Sequence, residues 1–305
     1  MGLRIGIIGM GWVGSSVAIS TLHADFVSEL LVSDAKPGLA EGEALDLGHG
    51  RSFYPSARVR AASVDEMQDL DAVVISAGRG GRPGQSRLDL LHDNVGMVRD
   101  IAGKLSGLRG LLLVVTNPVD VLTQVAAEAS GLPLERVLGT GTMLDTARLR
   151  QVLGRELSLE PRSIHAQVVG EHGDSEVTLW SGARIGGVPL RDWSGWTPER
   201  EHAAETEVRE AAQQIIQRKG ATNHAIGLVT ATLLRWALRG ERRVLNVSRV
   251  QTGACGIEGV ALSLPTVIGR AGATQVLEPA MTDAERERLH ESAAILRRTH
   301  ATLTS

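Results

Sequence analysis

Residues 3 to 14 read Leu3-Arg4-Ile5-Gly6-Ile7-Ile8-Gly9-Met10-Gly11-Trp12-Val13-Gly14, an apolar run followed without a gap by G-x-G-x-x-G. The run predicts a strand, and the segment from Ser15 to Phe26 predicts a helix, since apolar residues recur there with helical spacing. A glycine-rich turn between a strand and a helix directs backbone N–H groups towards phosphate oxygens. The stretch therefore predicts a dinucleotide site, in which Gly9 makes the turn, Gly11 admits the pyrophosphate and Gly14 lets helix and strand pack closely.

An acidic residue follows the next strand. Leu30-Leu31-Val32 leads to Asp34, twenty residues beyond Gly14. A carboxylate at this place accepts hydrogen bonds from the ribose hydroxyls and repels a 2′-phosphate, so it favours NAD over NADP. An Asp after a strand is often only a helix cap, but the glycines and the acid together favour dinucleotide binding.

Two further apolar runs, residues 71–76 and 110–116, lack the alternation of a half-exposed strand. Such runs are typical of strands buried on both faces of a parallel sheet, and helical segments separate them. We therefore predict an α/β chain with two parts. Residues 1–141 form an NAD-binding Rossmann domain with a doubly wound parallel sheet, and residues 142–305 form an α+β substrate or catalytic domain.

In sheets of this kind, ligands bind beyond the carboxyl ends of the strands. Both of these runs end in residues that could contact a ligand there. The first leads into a glycine- and arginine-rich loop from Gly78 to Arg87. This loop is either a plain flexible loop or a lid that carries a cation over a substrate. The second ends at Thr116, and Asn117-Pro118 then leaves an amide exposed at the strand tip. That amide can donate to a substrate oxygen or hold a nicotinamide amide.

The second half contains the candidate acid–base residues. Asp145 and Arg148 share one face of a predicted helix, where an ordinary intrahelical ion pair is the simpler interpretation. His172 lies between glycines in Gly170-Glu171-His172-Gly173-Asp174-Ser175, and histidine is the side chain that exchanges a proton near neutrality. For an isolated histidine at a turn, a surface position is the simpler interpretation.

Helices are predicted from Pro198 to Arg218 and from Asp283 onwards, and strand-like stretches at 244–250 and 260–268. Gly186-Gly187 is predicted as the turn of a hairpin within 182–189. We expect Trp180 in the core, and Trp193 and Trp196 at the surface.

Composition excludes several classes of function. The 305 residues carry a net charge of −3, which gives no basic surface for nucleic acid or an acidic membrane. No apolar run approaches the ~20 residues of a membrane span, and no signal peptide is recognisable. The single cysteine, Cys255, fits a reducing cytoplasm. The nine histidines have no metal-ligand spacing, so no metal is expected.

Taken in order along the chain, these motifs resemble the lactate/malate dehydrogenase family, and most closely the bacterial L-lactate dehydrogenase type of L-2-hydroxy acid dehydrogenase. The resemblance extends from residue 3 to about residue 300. It implies an NAD-dependent oxidoreductase that reversibly transfers a hydride between NADH and a small 2-keto acid. The cofactor contacts that it implies are Gly9, Met10, Gly11, Trp12, Val13, Gly14, Asp34, Gly78, Thr116, Asn117 and Thr140.

The resemblance also implies roles at the substrate. His172 is the expected proton donor and acceptor, and Asp145 its carboxylate partner. Arg148 is expected to bind the substrate carboxylate, and Arg87 to polarise the carbonyl. Asn117 and Thr222 are expected to contact the substrate, the latter at its side chain.

The substrate itself stays open. In the family, the residue before the Lys/Arg-Pro of the loop faces the distal end of the substrate, with Gln in lactate enzymes and Arg in malate enzymes. This chain has Gly81 before Arg82-Pro83, so neither rule applies. Thr222 favours the lactate type, and bulkier 2-keto acids are also expected to fit. Malate dehydrogenase is the alternative, and a non-catalytic NAD-binding protein is an alternative of another class.

The resemblance further implies a homo-oligomer, expected to be a tetramer. Arg150 and His165 match the pair that binds fructose 1,6-bisphosphate between subunits in many bacterial lactate dehydrogenases. Arg150 lies about 200° around the helix from Arg148, so the two arginines point in opposite directions. Two ordinary solvated surface residues are the alternative interpretation of the pair.

Overall fold

The computed structural model describes residues 2–55, 57–79 and 87–303. Its main feature is a nine-stranded sheet in the order β14-β13-β12-β6-β5-β4-β1-β2-β3. These strands are β1 (Leu3–Ile8), β2 (Val27–Ser33), β3 (Arg58–Ala61), β4 (Ala72–Ile75), β5 (Leu111–Val114), β6 (Val137–Gly139), β12 (Arg243–Thr252), β13 (Glu258–Gly269) and β14 (Gly272–Val276).

The first six strands are parallel, and the last three run antiparallel. The predicted strands at 71–76 and 110–116 are confirmed as β4 and β5, and every residue of both is buried. Complete burial follows because helices cover both faces of the sheet. A chain with this sheet is doubly wound, as the sequence predicts.

Eight α-helices lie within the described residues. They are α1 (Trp12–His23), α2 (Leu39–His49), α3 (Arg87–Lys104), α4 (Val119–Ser130), α5 (Met143–Leu157), α6 (Pro198–Lys219), α7 (His224–Leu238) and α8 (Asp283–Ala301). Helices α1 and α7 pack on one face of the sheet, where Val17 and Leu234 belong to the same core cluster. Helices α3 and α4 cover the other face through Val98 and Leu122.

The second half has smaller sheets and two further cores. Its short strands are β7 (Ile164–His165), β8 (Val168–Val169), β9 (Val177–Thr178), β10 (Arg184–Ile185) and β11 (Val188–Pro189). Strands β10 and β11 pair antiparallel, which confirms the hairpin around Gly186-Gly187. Leu289 and Leu296 of α8 pack in a core with Val169 and Leu262, so the C-terminal helix covers strand β8 and the loop that follows it. This part is α+β, as predicted.

One helix boundary and one surface assignment were wrong, and one strand was not predicted. Helix α1 begins at Trp12 rather than Ser15, because the helix starts within the glycine motif and Gly11 is its N-cap. Trp196 is buried, not at the surface: its ring lies 6.0 Å from that of Trp180, in the core formed by α5 and α6. Strand β14 was not predicted, since its five residues include a glycine and two polar residues.

Candidate active site

The glycine turn after β1 has the backbone that its sequence requires. Gly9 has a φ of +97°, which is accessible to glycine and strained for other residues. A Cβ atom at Gly14 would overlap the carbonyl group of Gly9, so α1 can approach the turn only without a side chain there. A Cβ at Gly11 would meet nothing within 4 Å, so the space that a pyrophosphate needs is open. The turn therefore fits a dinucleotide.

Asp34 lies at the carboxyl end of β2 and is tied to this turn. Its Oδ2 accepts a hydrogen bond from the Met10 N–H at 2.7 Å, and its Oδ1 accepts one from the Lys36 N–H at 2.8 Å. The residue lines a cavity of about 350 Å³ between the ends of β2 and β3. Each carboxylate oxygen accepts more than one hydrogen bond, so Asp34 can still receive ribose hydroxyls.

The tips of the next strands meet at the same edge of the sheet. Thr116, after β5, donates from Oγ1 to the Ala77 carbonyl at 2.7 Å. Asn94 of α3 accepts from the Arg79 N–H at 2.8 Å and donates to the Asn117 carbonyl at 3.4 Å. These contacts hold the backbone around Gly78 and Asn117 while leaving the Asn117 side-chain amide available. A polar edge of this kind is what a nicotinamide or a substrate oxygen needs.

A short polar contact joins His172 to α5. Its Nδ1 lies 2.5 Å from Oδ2 of Asp145, and Oδ1 of the same carboxylate accepts a hydrogen bond from Arg148 Nη1 at 2.9 Å. The Asp145 side chain is 3% exposed, whereas that of His172 is 22% exposed. One buried carboxylate thus orients both a titratable ring and a guanidinium.

This arrangement favours a charged imidazolium. Burial opposes the charged form of the ring, but the Asp145 carboxylate more than offsets it and raises the pKa of His172 to about 9. Burial likewise opposes the charge of Asp145, yet the His172 and Arg148 charges keep the pKa of Asp145 below its usual value. With Nδ1 engaged by Asp145, the Nε2 position is left to exchange a proton with a bound molecule.

His172 and Arg148 open into one cavity of about 100 Å³. Three residues that the sequence associates with cofactor or substrate, Asn117, Thr140 and Thr222, line the same cavity. The remaining lining is largely apolar. The full set is Val13, Val115, Asn117, Thr140, Gly141, Leu144, Arg148, His172, Ala212, Ile216, Thr222 and Ile226. Five positions that are far apart in sequence are therefore brought together.

Other predicted site residues lie elsewhere or outside the description. Gly81 is outside the described residues. Arg87 is the first residue of α3, but its side chain is outside the described part of the chain. Arg150 points away from Arg148, as expected, and its Nε donates to the Ala166 carbonyl at 3.0 Å. His165 is the last residue of β7 and directly precedes Ala166, so Arg150 is bonded to the backbone one residue after His165.

One residue that contacts the histidine was not predicted from the sequence. Asp120, near the start of α4, accepts a hydrogen bond from the His172 backbone N–H at 2.7 Å and is 2% exposed. Burial raises the pKa of Asp120 to about 6. The only feature of the sequence that could have indicated a role for Asp120 is its position two residues after Asn117-Pro118. An acid in the first turn of a helix is usually explained by the helix dipole, so this feature is weak. The two residues are 52 positions apart in the sequence, and only the fold brings them into contact.

Within the described residues, no helix is long and apolar enough to cross a membrane. The same residues contain no group of three or more His, Cys, Asp or Glu side chains placed to hold a metal ion.

Comparison with known proteins identifies matches to both halves. Residues 3–139 match the NAD-binding domain of lactate/malate dehydrogenases, and residues 142–304 match the α/β C-terminal domain of the same enzymes. The chain is 43% identical over 294 residues to an L-lactate dehydrogenase of a Synechococcus strain, covering 95% of this chain and 96% of the relative. It is 42% identical to an L-lactate dehydrogenase of Bacillus caldolyticus, covering 97% and 96%.

A solved structure agrees with these matches. The crystal structure of a minor L-lactate dehydrogenase from Enterococcus mundtii in a ligand-bound form superposes with a TM-score of 0.96 at 35% identity. The superposition covers 99% of this chain and 98% of that one. The predicted resemblance is confirmed over nearly the whole chain.

The first prediction concerns the His172–Asp145 pair. In Asp145→Asn the side chain keeps an oxygen for the ring but loses its charge, so the pKa of His172 should fall by roughly one unit or more. An NMR titration of the ring protons, assigned with His172→Gln, measures it. Asp174→Asn removes an exposed carboxylate of the same loop and should shift the pKa much less. An unchanged pKa in Asp145→Asn would refute the electrostatic role of the pair.

Proposed function

The chain belongs to the lactate/malate dehydrogenase family, and from that membership we propose that it reversibly reduces a small 2-keto acid of the pyruvate type to the L-2-hydroxy acid with NADH. The proposal rests mainly on one observation: Asp145 holds both His172 and Arg148, and these two side chains line the same cavity. A non-catalytic NAD-binding protein would need the glycine turn and Asp34, but it would have no use for this pair.

Each residue type suits one part of that reaction. His172, as an imidazolium, donates a proton to the keto oxygen while bound NADH supplies the hydride, and general acid help of this kind contributes ~10²–10⁴-fold. Asp145 holds the ring and favours its charged form. Arg148 uses one nitrogen on Asp145 and retains further N–H groups for a paired contact with the substrate carboxylate. Asn117 orients the substrate, and Arg87 polarises the carbonyl as negative charge develops on its oxygen.

The cavity lining supports a monocarboxylate substrate. Among its described residues, Arg148 and His172 are the two with a positive charge, and the rest are apolar or neutral. Arg148 suits the substrate's single carboxylate, and His172 suits its keto oxygen. A second carboxylate, as in oxaloacetate, would need a cation beyond these two and beyond Arg87, which is assigned to the carbonyl. Thr222 and Ile226 would then face the substrate side chain, and Gly81 would leave room for chains longer than methyl.

We also propose a self-associating chain, with a tetramer as the expected assembly. Apolar surface supports this: Phe53 is 86% exposed next to α2, and Leu228 is 62% exposed on α7. Leu228 borders a largely apolar groove of about 370 Å³ between α5, α7 and β12, which contains Trp236 and Val244. Apolar patches and grooves of this kind are typical of subunit contacts.

A bisphosphate site at the subunit boundary is the third part of the proposal, with fructose 1,6-bisphosphate as the ligand. Arg150 is bonded to the backbone carbonyl of Ala166, one residue after His165, and Arg184 pairs with His165 in the strand register. Burial lowers the pKa of Arg150, so an anion that reaches its guanidinium would relieve an unfavourable environment. Repeated across a two-fold axis, these cations would form a cleft for a polyanion.

We further propose that the NAD-binding domain spans residues 1–141 and the substrate domain 142–305, since α5 starts at Met143 shortly after the last parallel strand. A cytoplasmic location is supported by Cys255, a buried free thiol. There the enzyme would serve carboxylic acid metabolism.

The next prediction tests the reaction itself. His172→Ala should keep NADH binding, because the turn and Asp34 are unchanged, and should retain less than about a hundredth of the wild-type rate of pyruvate reduction. Steady-state kinetics and NADH fluorescence titration measure the two effects. His202→Ala, which changes an exposed histidine of α6, is the matched control and should behave as wild type. A His172→Ala rate near that of the wild type would exclude the proton-transfer role.

Another prediction concerns Gly81 and the substrate. The wild type should use pyruvate and 2-ketobutyrate better than oxaloacetate, measured as kcat/KM. Gly81→Arg should raise the ratio of oxaloacetate to pyruvate efficiency by roughly tenfold or more, because a cation would pair with the second carboxylate. Gly81→Gln adds a similar bulk without charge and should leave that ratio low. A wild type that strongly prefers oxaloacetate would contradict the assignment and favour a malate dehydrogenase.

The effector proposal has its own test. Millimolar fructose 1,6-bisphosphate should lower the pyruvate KM of the wild type and increase its sedimentation coefficient, because the ligand favours the assembly that binds it. Arg150→Gln should lose both responses while keeping its activity without effector. Identical curves for both proteins with and without the sugar bisphosphate would leave the pair without a regulatory role.

A further inference from the structure

A buried acid next to the histidine loop takes no part in the reaction described above. Glu176 follows His172 by four residues and is 4% exposed. Its Oε1 has no hydrogen-bond partner among the described residues. Its backbone is anchored, because the N–H donates to the Gly173 carbonyl at 3.1 Å and the carbonyl accepts from Arg288 Nη2 at 3.4 Å.

Charged groups of three helices and the histidine loop act on this carboxyl or contact its backbone. Asp145 and Arg148 act on it from α5, Arg209 from α6 and His172 from its own loop. On α8, Arg288 is engaged by Glu205 at 3.2 Å as well as by the Glu176 backbone. None of the three arginines forms an ion pair with the Glu176 side chain within the described residues, although Arg148 does so with Asp145.

A buried carboxylate without a partner is costly, and a nearby anion adds to that cost. The neutral acid avoids both penalties. Burial, followed by the Asp145 charge, raises the pKa of Glu176 to about 8, while the positive charges of His172, Arg209 and Arg148 act in the opposite direction. Both the burial of Glu176 and its raised pKa indicate that this acid is uncharged at neutral pH.

We propose that the protonation of Glu176 controls how strongly the pocket attracts a substrate anion. While Glu176 is neutral, the positive charges of Arg148 and His172, which line the pocket, are available to the single carboxylate of a 2-keto acid. When Glu176 ionises, its negative charge opposes them, so the pocket binds the substrate anion less well in mildly alkaline solution. This inference rests on the proposed function, because the ligand considered is the 2-keto acid.

The experiment separates this titration from that of His172. The dissociation constant of oxamate, an unreactive analogue of pyruvate, is measured on the NADH complex at about pH 7 and about pH 8.5 by NADH fluorescence. In the wild type, the dissociation constant should increase with pH, because both Glu176 and His172 lose a proton. In Glu176→Gln, which resembles the neutral acid, the increase should be roughly three- to tenfold smaller. Glu210→Gln removes an exposed carboxylate from α6 and should reproduce the wild-type increase.

A second measurement does not depend on substrate. Infrared difference spectra between neutral and alkaline pH should contain the carbonyl band of a protonated carboxylic acid in the wild type, and this band should be absent in Glu176→Gln. Glu176→Met, which also cannot ionise, replaces the Gln variant if that one is unstable.

Equal pH dependence of oxamate binding in wild type and variant, or a spectrum without the band, would overturn the inference. A wild type that reduces no 2-keto acid would refute the proposed function instead, and the spectrum would still report on Glu176.

Discussion

The site depends on a single buried carboxylate. Asp145 is 3% exposed and would be strongly unfavourable as a lone ion, but His172 occupies one oxygen and Arg148 the other. The two partners offset its desolvation, and the carboxylate in turn fixes where each partner lies. The ring and the guanidinium are held in one geometry relative to each other. An enzyme that must protonate a keto oxygen and bind the carboxylate on the adjacent carbon atom needs this fixed spacing.

The fold delivers these groups from separate parts of the chain. Asp145 and Arg148 lie on the first turns of α5, which starts just after the last parallel strand β6. His172 comes from the loop after β8, and its backbone N–H is held by Asp120 of α4. Helix α4 itself begins just after Asn117, at the tip of β5. A contact from α4 to His172 therefore couples the strand tips of the nucleotide site to the acid–base loop.

The sequence predicts those features whose signal is local. The glycine turn and Asp34 follow from short-range patterns, and β4 and β5 from runs without alternation. Asp145, Arg148 and His172 have only weak signals when taken singly, and it is their order along the chain that indicates the family. Asp120 and Glu176 could not be predicted, because their surroundings come from elements far away in sequence. Trp196 was misassigned for the same reason. Its neighbours in the sequence are polar, and they give no sign that α6 packs over its ring.

In the proposed reaction, His172, held charged by Asp145, gives its proton to a 2-keto acid as NADH gives its hydride. The pH dependence of kcat/KM for pyruvate reduction by the wild type measures this proton transfer. We expect measurable reduction of pyruvate and an efficiency that decreases as the pH rises through about 9, where the imidazolium is lost. No reduction of pyruvate, or an efficiency that stays constant through that range, would contradict it.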